Sequence, residues 1–125
     1  MISVDYRSGQ PLYRQIKENF KRLILSGAIA PDERLPSVRE LASQLAINPN
    51  TIQRAYRELE ADGFIGTSPG RGVYAAGGPE LRERKTEELY AAVFSDIKLL
   101  LEYGQERAEI LRRIGGQLNE TEVEA

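Results

Sequence analysis

The sequence predicts a mainly α-helical fold with one small β-hairpin, and three observations predict it. Two short amphipathic helical patterns separated by a tight turn occupy residues 34–63, two short β-prone runs follow at residues 64–75, and a long helical pattern begins after residue 78. An earlier helical pattern precedes all three. This order is that of a winged helix-turn-helix followed by a C-terminal α-helical tail. We assign residues 1–77 to the first part and residues 78–125 to the tail.

The first helix is predicted from the spacing of its apolar residues. From Leu12 to Ile24 they recur at helical intervals, which places them on one buried face. Pro11 suits the first turn, where its missing N–H would have no partner, and Gly27 suits a left-handed stop at the C-terminus. Residues 28–36, with two prolines, are predicted to form a loop.

The next two helices have capping signals. Ser37 and Glu40 stand three residues apart, as in a capping box, and so open the second helix. Asn48 is expected to cap the third helix, with Pro49 at its first position and Gly63 just after its end. Because the turn between the two helices is tight, the third helix stands where a recognition helix is presented to a major groove.

The tail is predicted to contain two helices after a linker at residues 76–78. The first runs from Pro79 to about Tyr103, and the second from about Gln105 to Ile114, where the glycine pair at 115–116 should end it. Two helices packed only on each other would leave a wide apolar surface uncovered, so we expect the tail to form a homodimer. The residues expected at its interface are Leu89, Val93, Phe94, Ile97, Leu100 and Leu101.

Composition narrows the function classes. The chain has no His and no Cys, which removes histidine acid–base catalysis, cysteine nucleophiles and nearly every type of zinc site. Since the sequence also has no glycine-rich phosphate loop and no D-x-D cluster, we expect neither an enzyme nor a cofactor or metal site. No apolar run approaches the roughly 18 residues that span a membrane, and the polar start argues against a signal peptide. We therefore expect a cytoplasmic protein with no membrane partner.

The formal net charge of −2 hides an asymmetry between the two parts. Residues 1–77 carry 10 Lys and Arg against 8 Asp and Glu, whereas residues 78–125 carry 7 against 11. Binding to nucleic acid rests on local basic patches, so an acidic total does not exclude it. We expect the acidic tail to face away from DNA.

The outward face of the third helix carries side chains that suit base edges. Polar residues recur there at i, i+3, i+4 and i+7, opposite the apolar stripe. Asn and Gln can form paired hydrogen bonds to adenine and Arg to guanine, while the helix N-terminus suits a phosphate. The alternative is a solvated polar face with ordinary caps. The residues are Asn50, Gln53, Arg54 and Arg57 on the face, with Asn48 and Thr51 at the N-terminus.

The turn of the hairpin has the composition of a DNA-binding wing. Gly70 and Gly72 permit a close approach of the backbone to DNA, and Arg71 between them could enter a narrow minor groove. A plain hairpin turn also needs glycine, so a purely structural turn is the alternative here.

Four stretches of the sequence resemble the GntR superfamily of bacterial transcription regulators. They are PLYRQI (11–16), SGAIAPDERLPSVRELA (26–42), NPNTIQRAYRELEADGFI (48–65) and the GRG of the wing (70–72). The third stretch, joined to a tail of under 50 residues, is most similar to the YtrA-type subfamily. The resemblance implies a DNA-binding repressor, and it suggests control of transporter or cell-envelope stress genes.

The resemblance also implies roles for residues before the third helix. It suggests a DNA contact for Arg39, for which an intrahelical salt bridge is the alternative, and phosphate contacts for Arg34 and Ser37. A structural role in the loop is the alternative for Arg34. Two positions depart from the family pattern: Asp32 stands where glycine is usual, and Val73 stands where Thr or Ser is frequent. These departures concern the loop and the wing, not the helices.

The leading hypothesis is a homodimer that binds double-stranded DNA at an inverted repeat, with half-sites about one helical turn apart. A small-molecule effector is compatible with it, with a pocket expected only between the tail and the core. The competing hypothesis is a winged-helix module that binds a protein partner and has lost specific DNA binding. The two differ in salt dependence, because phosphate contacts release counterions.

Overall fold

The computed structural model describes residues 2–121, and this part of the chain folds into helices with one two-stranded hairpin. A winged helix-turn-helix is followed by two tail helices, so the predicted fold class is confirmed. The predicted tail includes residues 122–125, which lie outside the described part. The elements in chain order are α1 (Leu12–Ser26), α2 (Val38–Leu45), α3 (Pro49–Ala61), β1 (Ile65–Ser68), β2 (Gly72–Ala75), α4 (Pro79–Glu102) and α5 (Arg107–Glu120).

The predicted caps fix the ends of the first three helices. The Ser37 hydroxyl oxygen accepts from the Glu40 backbone N–H at 3.1 Å, and a Glu40 carboxylate oxygen accepts from the Ser37 N–H at 3.2 Å. This backbone hydrogen bond from Ser37 lowers the pKa of the Glu40 carboxyl. Gly27 ends α1 with a φ of 84°, and Asn48 caps α3. Pro11 is the residue before α1 and not part of its first turn.

The core lies where α1 and α2 pack against α3. The rings of Phe20 and Tyr56 meet edge to face, with 5.6 Å between their centroids. The Tyr56 hydroxyl donates a hydrogen bond of 2.8 Å to the Pro36 carbonyl, which ties α3 to the loop before α2. Burial raises the pKa of this phenol well above its ordinary range. The other large side chains that are almost fully buried are Ile16, Ile29, Ile52, Leu59 and Phe64.

A third segment, the loop before α2, pairs with the two-stranded hairpin. The pairing of β1 with β2 sets Gly66 opposite Tyr74 and Thr67 opposite Val73. The loop before α2 then pairs with the outer edge of β2: the Leu35 N–H donates to the Val73 carbonyl, and the Asp32 N–H to the Ala75 carbonyl, both at 2.8 Å. This pairing joins segments about 40 residues apart, so the sequence pattern gave no sign of it.

The chain divides into two compact units, one reaching to Glu83 and one beginning at Arg84. The first turn of α4 therefore belongs to the first unit, where Leu81 is buried and Arg82 donates to the Leu25 carbonyl. The functional division between residues 77 and 78 stays a prediction. Within residues 2–121, no helix is both long and apolar enough to cross a membrane.

The predicted end of the last helix at Ile114 is wrong, because α5 continues through Gly115 and Gly116 to Glu120. Glycine costs about 1 kcal/mol relative to alanine inside a helix, which weakens a helix without forbidding it. The helix also begins at Arg107, after a turn in which Gly104 has a φ of 87°. The break predicted near Gly104 is thus observed, whereas the predicted stop at the glycine pair is not.

Candidate nucleic-acid interface

Three side chains on the outward face of α3 are free to bind a partner. Asn50, Gln53 and Arg57 are exposed, and within residues 2–121 their side chains make no hydrogen bond or ion pair. The opposite face of the same helix is anchored in the core, where Ile52 and Leu59 are fully buried. This face therefore holds two amides and one guanidinium outward on a fixed helix, and these groups can pair with base edges.

Arg54, which the spacing placed on the same face, is engaged within the protein. Its guanidinium lies 3.7 Å from the centroid of the Tyr13 ring on α1, and its Nε lies 3.3 Å from a Glu58 carboxylate oxygen. The half-buried Tyr13 thus serves as a rim residue that supports an arginine. To reach a base, Arg54 would have to give up both contacts.

Glu58 is shared between two cations and so joins α3 to α1. One carboxylate oxygen lies 3.1 Å from Lys17 Nζ, while the other faces Arg54. The hydrogen bond from Lys17 lowers the pKa of Glu58, and Arg54 adds to the effect. Burial alone would lower the pKa of Lys17, but Glu58 and Asp62, the latter at 3.3 Å, outweigh burial and raise it.

The first turn of α2 presents one free cation. Arg39 is exposed and has no ion pair within the described residues, so its alternative role in an intrahelical salt bridge is not observed. The Ser37 hydroxyl oxygen accepts within the capping box, and its proton makes no hydrogen bond among the described residues, so the hydroxyl can still donate to a phosphate. Arg39 is thus available to DNA as it stands.

The N-terminus of α3 has fewer free donors than its sequence suggested. The Asn50 N–H donates to the side chain of Asn48 at 2.8 Å, and the Thr51 N–H donates to the Asn48 carbonyl at 3.0 Å. Pro49 has no N–H at all. A phosphate here would be met by the side-chain amide of Asn48 and the hydroxyl of Thr51, more than by the backbone.

The wing turn adopts the backbone that its glycines permit. Gly70 and Gly72 have φ values of 78° and 76°, a region that other residues rarely adopt. Between them, Arg71 donates to Asp32 at 2.7 Å and lies 3.6 Å from the centroid of the Tyr74 ring. Tyr74 in turn covers Gly66 on the facing strand, where an added Cβ would come within 2.5 Å of the ring.

Arg34 connects the wing to α2. Its Nε would lie 3.8 Å from a Cβ placed on Gly72, and its Nη2 lies 4.0 Å from a Glu40 carboxylate oxygen. Its side chain is 74% exposed, so it is open to solvent along most of its length. The wing, the loop before α2 and the first turn of α2 therefore meet around Arg34 and form one surface; Arg39 is an exposed residue of that turn.

Two residues of this surface were missed as functional candidates. Asp32 departs from a usual glycine in the family pattern, and its φ of 66° is the left-handed backbone that glycine adopts most easily. Tyr74 was treated as part of a β-prone run. Asp32 could have been suspected from the glycine it replaces, but its partner lies 39 residues away and no local pattern links them.

A tri-helical core, an outward polar recognition helix and a basic wing define a winged helix-turn-helix DNA-binding protein. A family model described as bacterial regulatory proteins, gntR family, matches residues 12–75. The chain belongs to this family and is a DNA-binding transcriptional regulator. The resemblance found in its motifs is confirmed.

Known relatives are of similar kind. The chain is 51% identical over 74 residues to the HTH-type transcriptional repressor YtrA of Bacillus subtilis (strain 168), a match that covers 59% of this chain and 57% of the repressor. It is 34% identical over 111 residues to YhcF of the same organism, an uncharacterized HTH-type transcriptional regulator, covering 88% of this chain and 92% of that one. The match to YtrA thus spans about half of each protein, whereas the match to YhcF includes the tail.

A solved structure of similar fold contains DNA. AraR(DBD) in complex with operator ORX1 is 29% identical, with a TM-score of 0.54, covering 60% of this chain and 96% of that one. The similarity therefore covers nearly all of AraR(DBD) but only about three fifths of this chain.

Proposed function

We propose that the protein is a homodimeric repressor that reads an inverted-repeat operator, with α3 in the major groove and the wing at the minor groove. The observation that carries the proposal is the set of unpartnered side chains on α3, namely Asn50, Gln53 and Arg57. The relative named as a repressor and the operator complex of AraR(DBD) support it.

The contacts are proposed to divide between bases and phosphates. Asn50, Gln53 and Arg57, with Arg39 beside them, are proposed to contact bases because their hydrogen-bonding groups are free. Arg54 starts from its contacts with Glu58 and Tyr13, so its net contribution should be smaller. The residues proposed to contact phosphates are Arg34, Ser37, Asn48 and Thr51. The wing residues proposed to contact DNA at the minor groove are Gly70, Arg71 and Gly72.

The tail is proposed to form the dimer interface. Among the described residues, the exposed apolar side chains of α4 include the predicted Leu89, Val93 and Phe94, at 69%, 48% and 58% exposed. Leu100 and Leu101 are also exposed, and Ile97 is half-buried. Several exposed apolar side chains at helical spacing on one helix are typical of a protein interface. Three residues of α5 that the sequence analysis left out, Leu111, Ile114 and Leu118, extend it at helical spacing.

The dimer is tested by sedimentation velocity of the full chain over a wide range of protein concentrations. We expect a species of twice the monomer mass at tens of micromolar. A monomer throughout that range would refute the proposed dimer.

The DNA contacts are tested by equilibrium binding of single variants to a duplex first selected with the wild-type protein. Arg39→Ala should lose about 1–3 kcal/mol and relax selectivity at one position of each half-site, whereas Arg54→Ala should lose less. Arg22→Ala, which removes an exposed arginine of α1, is the matched control and should lose little. An equal loss on all sequences would reassign Arg39 to phosphates. No loss when Asn50, Gln53 and Arg57 are each replaced by alanine would favour a protein partner.

A small-molecule effector and control of transporter or cell-envelope stress genes also belong to this proposal. Neither is needed for the DNA contacts above. Thermal unfolding of the full chain with and without candidate metabolites would detect an effector, because a ligand that binds only the folded state raises the unfolding temperature.

A further inference from the structure

The wing arginine is the cation of this surface that is held most closely by an acid. Arg71 Nη2 lies 2.7 Å from Asp32 Oδ1, and the Tyr74 ring lies against the guanidinium at 3.6 Å. In contrast, Arg39 and Arg57 have no partner within the described residues. Arg71 is therefore held on two sides in the DNA-free protein.

The backbone of Asp32 is fixed in place, which keeps its side chain beside the wing. Its N–H donates to the Ala75 carbonyl at 2.8 Å, which anchors it to β2, and its φ of 66° is left-handed. Aspartate tolerates this backbone better than most residues but gains nothing from it over glycine. The Asp32 backbone thus holds a carboxylate whose contact, among the described residues, is the guanidinium of Arg71.

We propose that Asp32 is an intramolecular counter-charge that holds Arg71 in the free protein and competes with DNA phosphate for it. A phosphate approaching the wing must displace this carboxylate. Asp32 thereby weakens the wing's non-specific contribution to binding and leaves a larger share of affinity to the base contacts of α3. This inference rests on the proposed function, because it presumes that the wing meets DNA.

The expected size of the effect follows from exposure. The side chains of Arg71 and Asp32 are 47% and 74% exposed, so their ion pair is solvent-screened. Exposed pairs contribute at most about 1 kcal/mol, which corresponds to about a fivefold change in an equilibrium constant. Asp32→Asn removes the charge while keeping a residue that accepts the left-handed backbone.

The test measures binding of the full chain to a mixed-sequence duplex of about three helical turns, over a series of salt concentrations. Asp32→Asn should tighten binding about two- to fivefold at low salt and steepen the salt slope by up to about 0.9, the value for one phosphate contact. Glu33→Gln removes a charge from the same loop without touching Arg71, since Glu33 accepts from the Ala30 N–H. It is the matched control and should change binding much less.

The decisive comparison repeats Asp32→Asn in an Arg71→Ala background. The proposal expects the gain to disappear there. A gain that persists without Arg71, or one that Glu33→Gln reproduces, would overturn the proposal in favour of a general effect of charge.

A DNA-free measurement separates this inference from the proposed function. The rotation of the Arg71 guanidinium, followed by nitrogen NMR, should be slower than that of Arg39 and should speed up in Asp32→Asn. Equal rotation in wild type and variant would overturn the inference whatever the DNA result. Absence of salt-dependent binding by the wild type would instead overturn the proposed function, while NMR would still decide whether Asp32 holds Arg71.

Discussion

At the scale of single residues, Glu58 sets a pH dependence of folding. Lys17 and Arg54 lower the pKa of its carboxyl in the folded state. A carboxyl with a lowered pKa stabilises the fold above its unfolded pKa of about 4.3, and this contribution is lost as pH falls through the folded value. We therefore expect Glu58→Gln to be less stable than wild type at neutral pH and the difference to shrink by about pH 3.

Urea unfolding at the two pH values measures this difference, with Glu60→Gln as the control. Glu60 is exposed and makes no ion pair within residues 2–121, so its substitution should matter little at either pH. A Glu58→Gln deficit that persists unchanged in acid would contradict the account.

Tyr56 tests the link between α3 and the loop before α2. Tyr56→Phe keeps the ring against Phe20 but removes the hydrogen bond to the Pro36 carbonyl. We expect a loss of about 1 kcal/mol in the free energy of unfolding, measured by urea titration. Tyr13→Phe removes a hydroxyl without a hydrogen bond in the described residues and should lose less than about 0.5 kcal/mol. Equal losses would show that the Pro36 contact does not stabilise the fold.

Local spacing predicted which residues face outward, but not which of them are free. The helical period of α3 predicted Asn50, Gln53 and Arg57 to face outward, and the structure shows that they are also unpartnered among residues 2–121. The period put Arg54 in the same set, although Tyr13 and Glu58 hold it. Tyr13 lies some 40 residues earlier in the chain, and such a contact depends on how α1 packs on α3.

At the level of single helices, we expect the glycine pair at 115–116 to lower the stability of α5. An added Cβ would meet nothing within 4 Å at Gly115 or Gly116. Replacing both with alanine should strengthen the helix by about 0.5–1 kcal/mol per site, seen as slower amide hydrogen exchange in α5.

Gly104→Ala is the matched comparison, and it should make amide hydrogen exchange faster, not slower. Its φ of 87° is strained for alanine, so the turn between α4 and α5 should be weakened. A loss of protection in the double variant at 115 and 116 would contradict the expectation and indicate a close approach of another helix there.

The elements with explicit end signals were the ones that the sequence predicted well. The capping box at Ser37, the Asn48 cap and the left-handed Gly27 are all local chemistry. The glycine pair does not end α5, because glycine weakens a helix without forbidding it. The strand-like pairing of residues 32–35 with β2 had no local signal, since backbone pairing between distant segments leaves no period in either one.

At the scale of the whole molecule, the account expects the tail to multiply DNA affinity through dimerisation. Val93→Glu places a charge on an exposed apolar face of α4 and should yield monomers. With each monomer holding one half-site, affinity for a symmetric site should fall by about 100-fold or more. Combined sedimentation and DNA titration measure both effects.

Ser95→Glu adds the same charge at an exposed polar position on the opposite side of α4 and should leave the dimer intact. Loss of DNA affinity without loss of the dimer in Val93→Glu would contradict the proposed role of the tail.

The class of the molecule could be predicted from sequence because several local features agree. Helix caps, a polar recognition face and a glycine-rich turn occur in one order, and the family comparison confirms what they indicate. The dimer and the operator each involve a second molecule, which the pattern of one chain does not specify. Both are therefore proposals: the dimer rests on exposed apolar side chains of the tail, and the operator on free hydrogen-bonding groups of α3.

The most direct test of the central claim is selection of bound duplexes from a random-sequence DNA pool by the full-length wild-type protein. We expect enrichment of a two-fold symmetric site whose half-sites lie about one helical turn apart. Failure of the folded protein to enrich any sequence over the starting pool would contradict sequence-specific recognition by α3 and the wing.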